Sequence, residues 1–450
     1  MYPQVSFRSQ LHKAVVCLMF AAASTNAQVD PGVRTGSPAA GGKIAGLTVK
    51  ESKFFDTGLD EFEEVASVTG SVSGTEEGLG PRFNLDSCAG CHKFPSVGGS
   101  SPTHNPQVDV GPPSQVNLLV GLGLIKPDGP VREIRFNQSN DGGVHDLFTI
   151  VGLPGTPAGC NASALPQPTF SGNLANIIFR IPTPVFGAGL IEAISDATIA
   201  ANELPSQFKT DRGIGGHTNR NGNDGTITRF GWKAQNKSLA IFAGEAYNVE
   251  QGITNDLFPD ERGEGGVQDP AICRPIPAGQ DHTNYDLTQP QTVPGNVISF
   301  ANFMRFLAPP TPVTSYGSVT AASINRGRDN FAAVGCAACH LPSMQTGNHD
   351  TGALANKTAN LYSDLLVHNM GSGLADGVSQ GNANGSEFRT APLWGLGQRI
   401  FFLHDGRTSD LLQAITEHSS GVSEANTVIT NFNSLPTGDR QDILNFLRSL

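Results

Sequence analysis

Hydrophobic residues recur at helical spacing in a few separated stretches of this chain, with long polar, glycine-rich segments between them. Phe54, Phe55, Leu59, Phe62 and Val65 fall at intervals that predict one amphipathic helix. Leu239, Ala243, Ala246 and Glu250 share one face of another, so that a carboxylate continues an apolar stripe. Val297–Leu307 predicts a helix that Pro309 and Pro310 stop. Leu411, Ile415 and His418 lie on one face of a further helix, and the chain ends in one built on Ile443, Leu444, Phe446 and Leu447. The stretch 95–170, rich in Gly, Pro and Asn, reads as irregular surface loop. The pattern is mainly α, with long irregular connections.

A chain of 450 residues exceeds what one hydrophobic core usually serves, so two domains are expected, with a boundary near residue 300. A faint internal repeat agrees: "FRIPTPVFGAGL" at Phe179–Leu190 and "FRTAPLWGLG" at Phe388–Gly397 share Phe-Arg, prolines, an aromatic and Gly-x-Gly. The formal charge is −11 and no basic stripe is present, which argues against nucleic acid and anionic membrane surfaces as partners. A small redox protein with a basic patch suits this charge better.

The first residues read as an export signal. Arg8, His12 and Lys13 precede an apolar run, Ala14–Ala23, followed by Thr25-Asn26-Ala27, which suits cleavage after Ala27. The run is shorter than the roughly 20 residues a membrane span needs. The expected organisation is a signal peptide 1–27, a tail 28–52, and domains 53–300 and 301–450, in a protein of the bacterial periplasm. Lipidation at Cys17 is a weaker alternative, because little apolar sequence precedes it. Cys160 and Cys273 stand outside every motif, and an oxidising compartment makes them candidates for a structural disulfide.

The remaining four cysteines belong to "CAGCH" at Cys88–His92 and "CAACH" at Cys336–His340. A two-residue spacing lets both thiols reach the vinyl groups of one haem from a single backbone turn, and the following His supplies a nitrogen to iron. A zinc knuckle would need further Cys or His at matching spacing, and a thioredoxin-type dithiol would need a strand before it and a helix after it. Neither context surrounds these motifs. Two covalent c-type haems, on Cys88, Cys91, His92 and on Cys336, Cys339, His340, are the reading. The flanking helices make each half resemble a class I cytochrome c domain, which opens and closes with a helix.

"GLGPRFNLDSCAGCHKFPSVGGSSP", "RFGWKA", "LYSDLLVHNMG" and "FFLHDGRTSDLLQAITEH", with the two Phe-Arg repeats, resemble the bacterial di-haem oxidoreductase family, over about residues 50–450. Its members carry peroxidase and thiol oxidoreductase labels and are similar to di-haem cytochrome c peroxidases. The resemblance implies hydrogen peroxide reduction at an N-terminal haem with an open iron face, and an electron-storing C-terminal haem closed by two ligands. It implies Glu250 as distal acid/base, with Glu192 as rival, and Trp232 or Phe230 as a relay between haems. The position of the peroxidases' axial Met is held here by His418, with His368 and Met370 as competitors. His104 or His217 could cap the first iron, and a calcium ion between the domains is implied by the relatives. The alternative from another class is a non-catalytic di-haem electron-transfer cytochrome; a third reading uses peroxide to oxidise an organic substrate.

Overall fold

The computed structural model describes residues 28–37, 39–136, 147–148, 150–151, 155–161, 164–165, 177–260, 269–276, 280–282 and 295–450. Residues 1–27, expected to form a signal peptide, lie outside them. Helix α1 spans Val49–Glu63 and begins with a capping box: the Thr48 hydroxyl accepts from the Glu51 N–H while the Glu51 carboxylate accepts from the Thr48 N–H. A short helix α2, Cys88–Cys91, starts at Ser87, whose hydroxyl accepts from the Gly90 N–H. Helices α3 (Ala188–Glu192), α4 (Leu239–Gln251) and α5 (Asn296–Phe306) complete the frame of the first half. The second half opens with α6 (Ala321–Val334), continues through the short α7 (Leu411–Thr416) and closes with α8 (Thr437–Ser449).

The two halves share one packing device. Helix α1 lies across α5, and the crossing occurs at Gly58, where a Cβ would overlap the Ser299 carbonyl oxygen. Phe55 and Phe62 then meet Phe303 at 5.4 and 4.7 Å between ring centroids. Helix α6 lies across α8 at Gly327, where a Cβ would overlap the Asp442 carbonyl oxygen, and Phe331 meets Phe446 at 5.5 Å. Both crossings rest on Gly-x-Asp-x-Phe, at Gly58–Phe62 and at Gly327–Phe331. Only a glycine lets the backbones come this close, because protein interiors leave no slack for an added methyl group.

Helix α5 therefore packs with the first half, and the expected boundary near residue 300 falls within it. The stop came where expected, since α5 ends at Phe306, ahead of Pro309 and Pro310. Val65 falls beyond the end of α1, and His418 lies two residues beyond α7, its N–H reaching back to the Ile415 carbonyl.

The stretch 95–170 is not wholly irregular. Strand β1 (Glu133–Phe136) pairs antiparallel with β2 (Ile177–Arg180), placing Glu133 opposite Arg180 and Arg135 opposite Ile178. The second half has a similar ribbon: β3 (Val367–Asn369) pairs with β4 (Glu387–Arg389), placing His368 opposite Phe388. The strands are too short to show a clear alternation in sequence, and tertiary pairing makes them. The fold is thus helix-rich with small antiparallel sheets. Its main core is continuous between the halves, joining Phe55, Phe62, Phe300 and Phe303 to Leu361, Leu365 and Trp394. Cys160 and Cys273 are bonded as a disulfide. No helix among the described residues is long and apolar enough to cross a membrane.

Gly58→Ala and Gly327→Ala are expected to lower stability by about 1–3 kcal/mol each, the usual cost of overpacking. Gly438→Ala, in α8 with nothing within 4 Å of its missing Cβ, should cause no loss. Thermal unfolding of the three variants beside the wild type checks this; equal behaviour of all three would remove the crossing argument.

Candidate functional site

Each Cys-x-x-Cys-His motif borders its own cavity. The first holds about 1160 Å³ of empty space, part of it open to solvent, and is lined by Cys88, Cys91, His92, Trp232 and Glu250 among others. The second holds about 1380 Å³ and is lined by Cys336, Cys339, His340, Met370 and His418.

The histidine geometry is the same in both. His92 Nδ1 donates to the Gly99 carbonyl at 3.1 Å and His340 Nδ1 to the Tyr362 carbonyl at 3.0 Å. A proton on Nδ1 leaves the lone pair on Nε2, the arrangement typical of a metal-ligating imidazole. Burial pushes both rings down to about 4, so both are neutral near pH 7. Phe62 stands edge-on to His92 at 5.9 Å and Phe331 leans on His340 at 6.2 Å, so the helix crossings seat the two rings. Burial also pushes the Cys88 and Cys336 thiols up to about 12, and holds the Cys91 thiol well above its ordinary range. Two cysteines, one neutral imidazole with an unprotonated Nε2 and a cavity beside them fit a haem in both halves.

The halves differ in what else faces the cavity. His92 is the one imidazole among the described residues lining the first. Glu250, on α4, lies in that lining, where Asn84 Nδ2 donates to its carboxylate at 2.7 Å. Its charge contributes to raising the Cys88 and Cys91 thiols, which places it beside them. Glu133, Arg135 and Glu245 also line this cavity, and Glu133 pairs with Arg135 at 2.6 Å. None of these three stood out in sequence, since β1 lies in a stretch that looked irregular and Glu245 has no motif around it. Met304, from α5, is the lining thioether.

In the second cavity His418 Nδ1 donates to the Ala414 carbonyl at 2.7 Å, which again leaves Nε2 free. His368 is committed elsewhere: it donates from Nε2 to Asp364 at 3.0 Å and from Nδ1 to Glu424 at 2.8 Å. Burial alone would lower this ring, but the Cys339 sulfur and the Asp364 carboxylate outweigh it and hold it protonated. With both ring nitrogens bonded to carboxylates, His368 presents no free nitrogen to the cavity, in contrast to His418. Met370 remains in the lining.

Other residues singled out in sequence fall elsewhere. Glu192 pairs with Arg305 at 2.7 Å and accepts from the Leu239 N–H, so it ties α3 to α5 and caps α4. His104 is exposed and paired with Asp109 at 2.6 Å. His217 approaches Glu387 at 3.3 Å. None of the three borders either cavity.

Trp232 lines both cavities, and its indole N–H donates to the Ile181 carbonyl at 2.9 Å. Phe230 lines neither. Around Trp232 the halves are joined by buried charge: Asp376 pairs with Arg180 at 2.8 Å and with Lys233 at 3.1 Å. The Lys233 ammonium also sits 4.0 Å from the centre of the Phe388 ring, whose other neighbour is His404, stacked at 4.2 Å. Burial pushes Lys233 down to about 8.

Two cavities, each built around cysteines and an imidazole poised for haem, define a two-centre haem protein. A family model described as "Di-haem oxidoreductase, putative peroxidase" matches residues 170–450. The chain belongs to that di-haem oxidoreductase family. The match contains the second Cys-x-x-Cys-His motif and not the first.

No curated protein matches the chain. Among solved structures, a MauG-like protein associated with microbial copper homeostasis is 16% identical, with a TM-score of 0.28, over 60% of this chain and 90% of that one. Hydrazine synthase of Kuenenia stuttgartiensis is also 16% identical, with a TM-score of 0.23, over 34% of this chain. This chain spans 55% of that protein's length.

Asp376→Asn leaves Arg180 and Lys233 buried with a neutral partner, and the loss should be about 3–5 kcal/mol. Denaturant unfolding measures it; a change below 1 kcal/mol would mean that the seam does not depend on this carboxylate.

Proposed function

We propose that this protein is an exported di-haem c oxidoreductase of peroxidase type, which reduces hydrogen peroxide at the N-terminal centre or uses it to oxidise a substrate. A small redox protein delivers electrons through the C-terminal centre. The observation that carries this reading is the unequal supply of imidazoles: among the described residues His92 stands alone in the first cavity, while His340 and His418 both offer a free Nε2 to the second. An iron held on one face can take a small oxidant; an iron held on both faces can only pass electrons.

When bound, each haem supplies a redox-active iron. The chain's residues do the rest. Cys88 and Cys91 attach one haem and Cys336 and Cys339 the other. Splitting an O–O bond consumes two protons and two electrons, and Glu250 is the group placed to carry the protons, with Asn84 orienting its carboxylate. Trp232 fills the space between the cavities and is the natural relay. His418, an imidazole where the related peroxidases carry a thioether, would hold the second centre at a lower potential.

The reading includes two class I cytochrome c-like domains. We place their boundary in the proline stretch after α5, at Pro309–Pro312, because α5 packs on α1. The Cys160–Cys273 disulfide supports an oxidising compartment, and with it export to the periplasm. Calcium is not part of the proposal. Among the described residues the one cluster of three metal-ligand groups is Cys339, Asp364 and His368, whereas calcium takes six to eight oxygens.

One observation favours the carrier alternative: Met304 borders the first cavity and carries a thioether that could close the iron there.

Protease digestion should leave porphyrin on the peptides containing residues 88–92 and 336–340. Electron paramagnetic resonance of the oxidised protein should show one high-spin and one low-spin centre, with His418→Ala converting the second to high-spin. Two low-spin centres unaffected by peroxide would establish the carrier. Glu250→Gln should reduce peroxide turnover about 10²- to 10⁴-fold while leaving both spectra intact. Unchanged turnover in that variant would transfer the proton role elsewhere.

A further inference from the structure

Two arginines border the second cavity without any counter-charge. Arg389, at the end of β4, donates from Nε to the Gly231 carbonyl at 2.9 Å and from Nη1 to the Thr390 carbonyl at 3.4 Å. Arg399 makes no side-chain hydrogen bond with a described residue, and neither arginine reaches a carboxylate among them. Burial pushes both down to about 10, and the charge of Arg399 adds to the effect on Arg389. In the first cavity Arg135 has Glu133 at 2.6 Å and Arg180 has Asp376 at 2.8 Å, while Arg132 donates from Nη1 to the Leu124 carbonyl at 3.2 Å and lies 4.2 Å from the centre of the Phe179 ring.

A guanidinium that lines a cavity, cannot shed its proton and meets no carboxylate is costly to desolvate. Natural interiors pair such charges, so two of them bordering one cavity mark an anion-binding subsite. Their position narrows the anion. Arg389 and Arg399 border both the second cavity and a smaller one of about 550 Å³, and that smaller space also touches Trp232, Gly231 and Thr183 from the lining of the first. The Arg389 backbone N–H donates to the Trp232 carbonyl at 2.8 Å and its Nε to the neighbouring Gly231 carbonyl, which sets the guanidinium beside the relay. Haem carries two propionate carboxylates on one edge, a pair of anions for a pair of cations.

We propose that Arg389 and Arg399 bind the propionates of the C-terminal haem and so turn that edge toward Trp232 and the N-terminal cavity. The proposal rests on the di-haem reading given above. Its consequence is directional: the haem enters with its carboxylates at the seam between halves, and the charge balance there sets its potential. The same "FRTAPLWGLG" segment that repeats "FRIPTPVFGAGL" supplies Arg389, while its counterpart Arg180 is neutralised by Asp376.

The test uses the haem-loaded protein and the variants Arg389→Gln, Arg399→Gln and Arg399→Lys. Porphyrin on the peptide containing residues 336–340 is verified first; its absence would end the di-haem reading and this proposal with it, whereas the outcomes that follow bear on this proposal alone. Spectroelectrochemical titration then gives the midpoint potential of each centre. Loss of a positive charge beside the propionates favours the ferric form, so the glutamine variants should shift the low-spin centre at least tenfold in its redox equilibrium, a fall of about 59 mV. Arg399→Lys should restore most of it, and the high-spin centre should move less. Unchanged potentials in both glutamine variants, or an equal shift of both centres, would overturn the proposal. So would a wild-type potential that follows added chloride or phosphate at constant ionic strength, because a free anion would then occupy the subsite. Where a variant does not fold, resonance Raman of the wild type decides. The propionate bending bands should shift between H₂O and D₂O if guanidinium N–H groups hold them, and bands that stay put count against the assignment.

Discussion

The structure depends on how closely two helices can approach in each half. At Gly58 and at Gly327 the opening helix meets the backbone of the closing helix with no side chain between them. The phenylalanine one turn later then reaches the ring of His92 or His340, so helix packing and ligand placement are one event. A carbonyl from a following loop, Gly99 or Tyr362, fixes the proton on Nδ1 and leaves Nε2 free. The two halves arrive at this arrangement through different loops, which is what a duplicated unit under one physical requirement would do.

On this common frame the halves diverge in charge. The first cavity gathers carboxylates and arginines that largely neutralise one another, around a single imidazole. The second gathers several imidazoles, one of them bonded to both Asp364 and Glu424, together with two arginines that reach no carboxylate among the described residues. Low dielectric surroundings magnify such differences. Two sites built by the same helices thus offer a metal unequal company, and Trp232, with the Arg180–Asp376–Lys233 cluster around it, stands where they meet.

Much of the scaffold was legible along the chain. The apolar spacing of Phe55 and Phe62, and of Ile443 to Leu447, marked α1 and α8 because an amphipathic helix carries its burial pattern within a few turns. The role of α5 was not legible: its pattern announced a helix but not the partner it would cover. The ribbons β1–β2 and β3–β4 escaped because a strand of three or four residues has too little sequence to display alternation, and its partner lies far off along the chain. The Gly-x-Asp-x-Phe repeat was present and went unread, since a glycine within a helix has meaning only once the crossing backbone is known.

The sequence alone determined the local chemistry. Cys-x-x-Cys-His brings its three groups together within one turn, so no folding was needed to recognise it. Glu250 continued an apolar face by spacing alone, and His418 was three residues from Ile415. What only the tertiary structure decided were the groups that act across long separations. His368 became a charged partner of Asp364 and Glu424, and Glu192 a strut to Arg305. Arg135 entered one cavity, while Arg389 and Arg399 entered the other. The reason is the range of the forces: covalent spacing and helical periodicity are set by neighbours in the chain, whereas the burial and pairing of a charge depend on whatever the fold carries next to it.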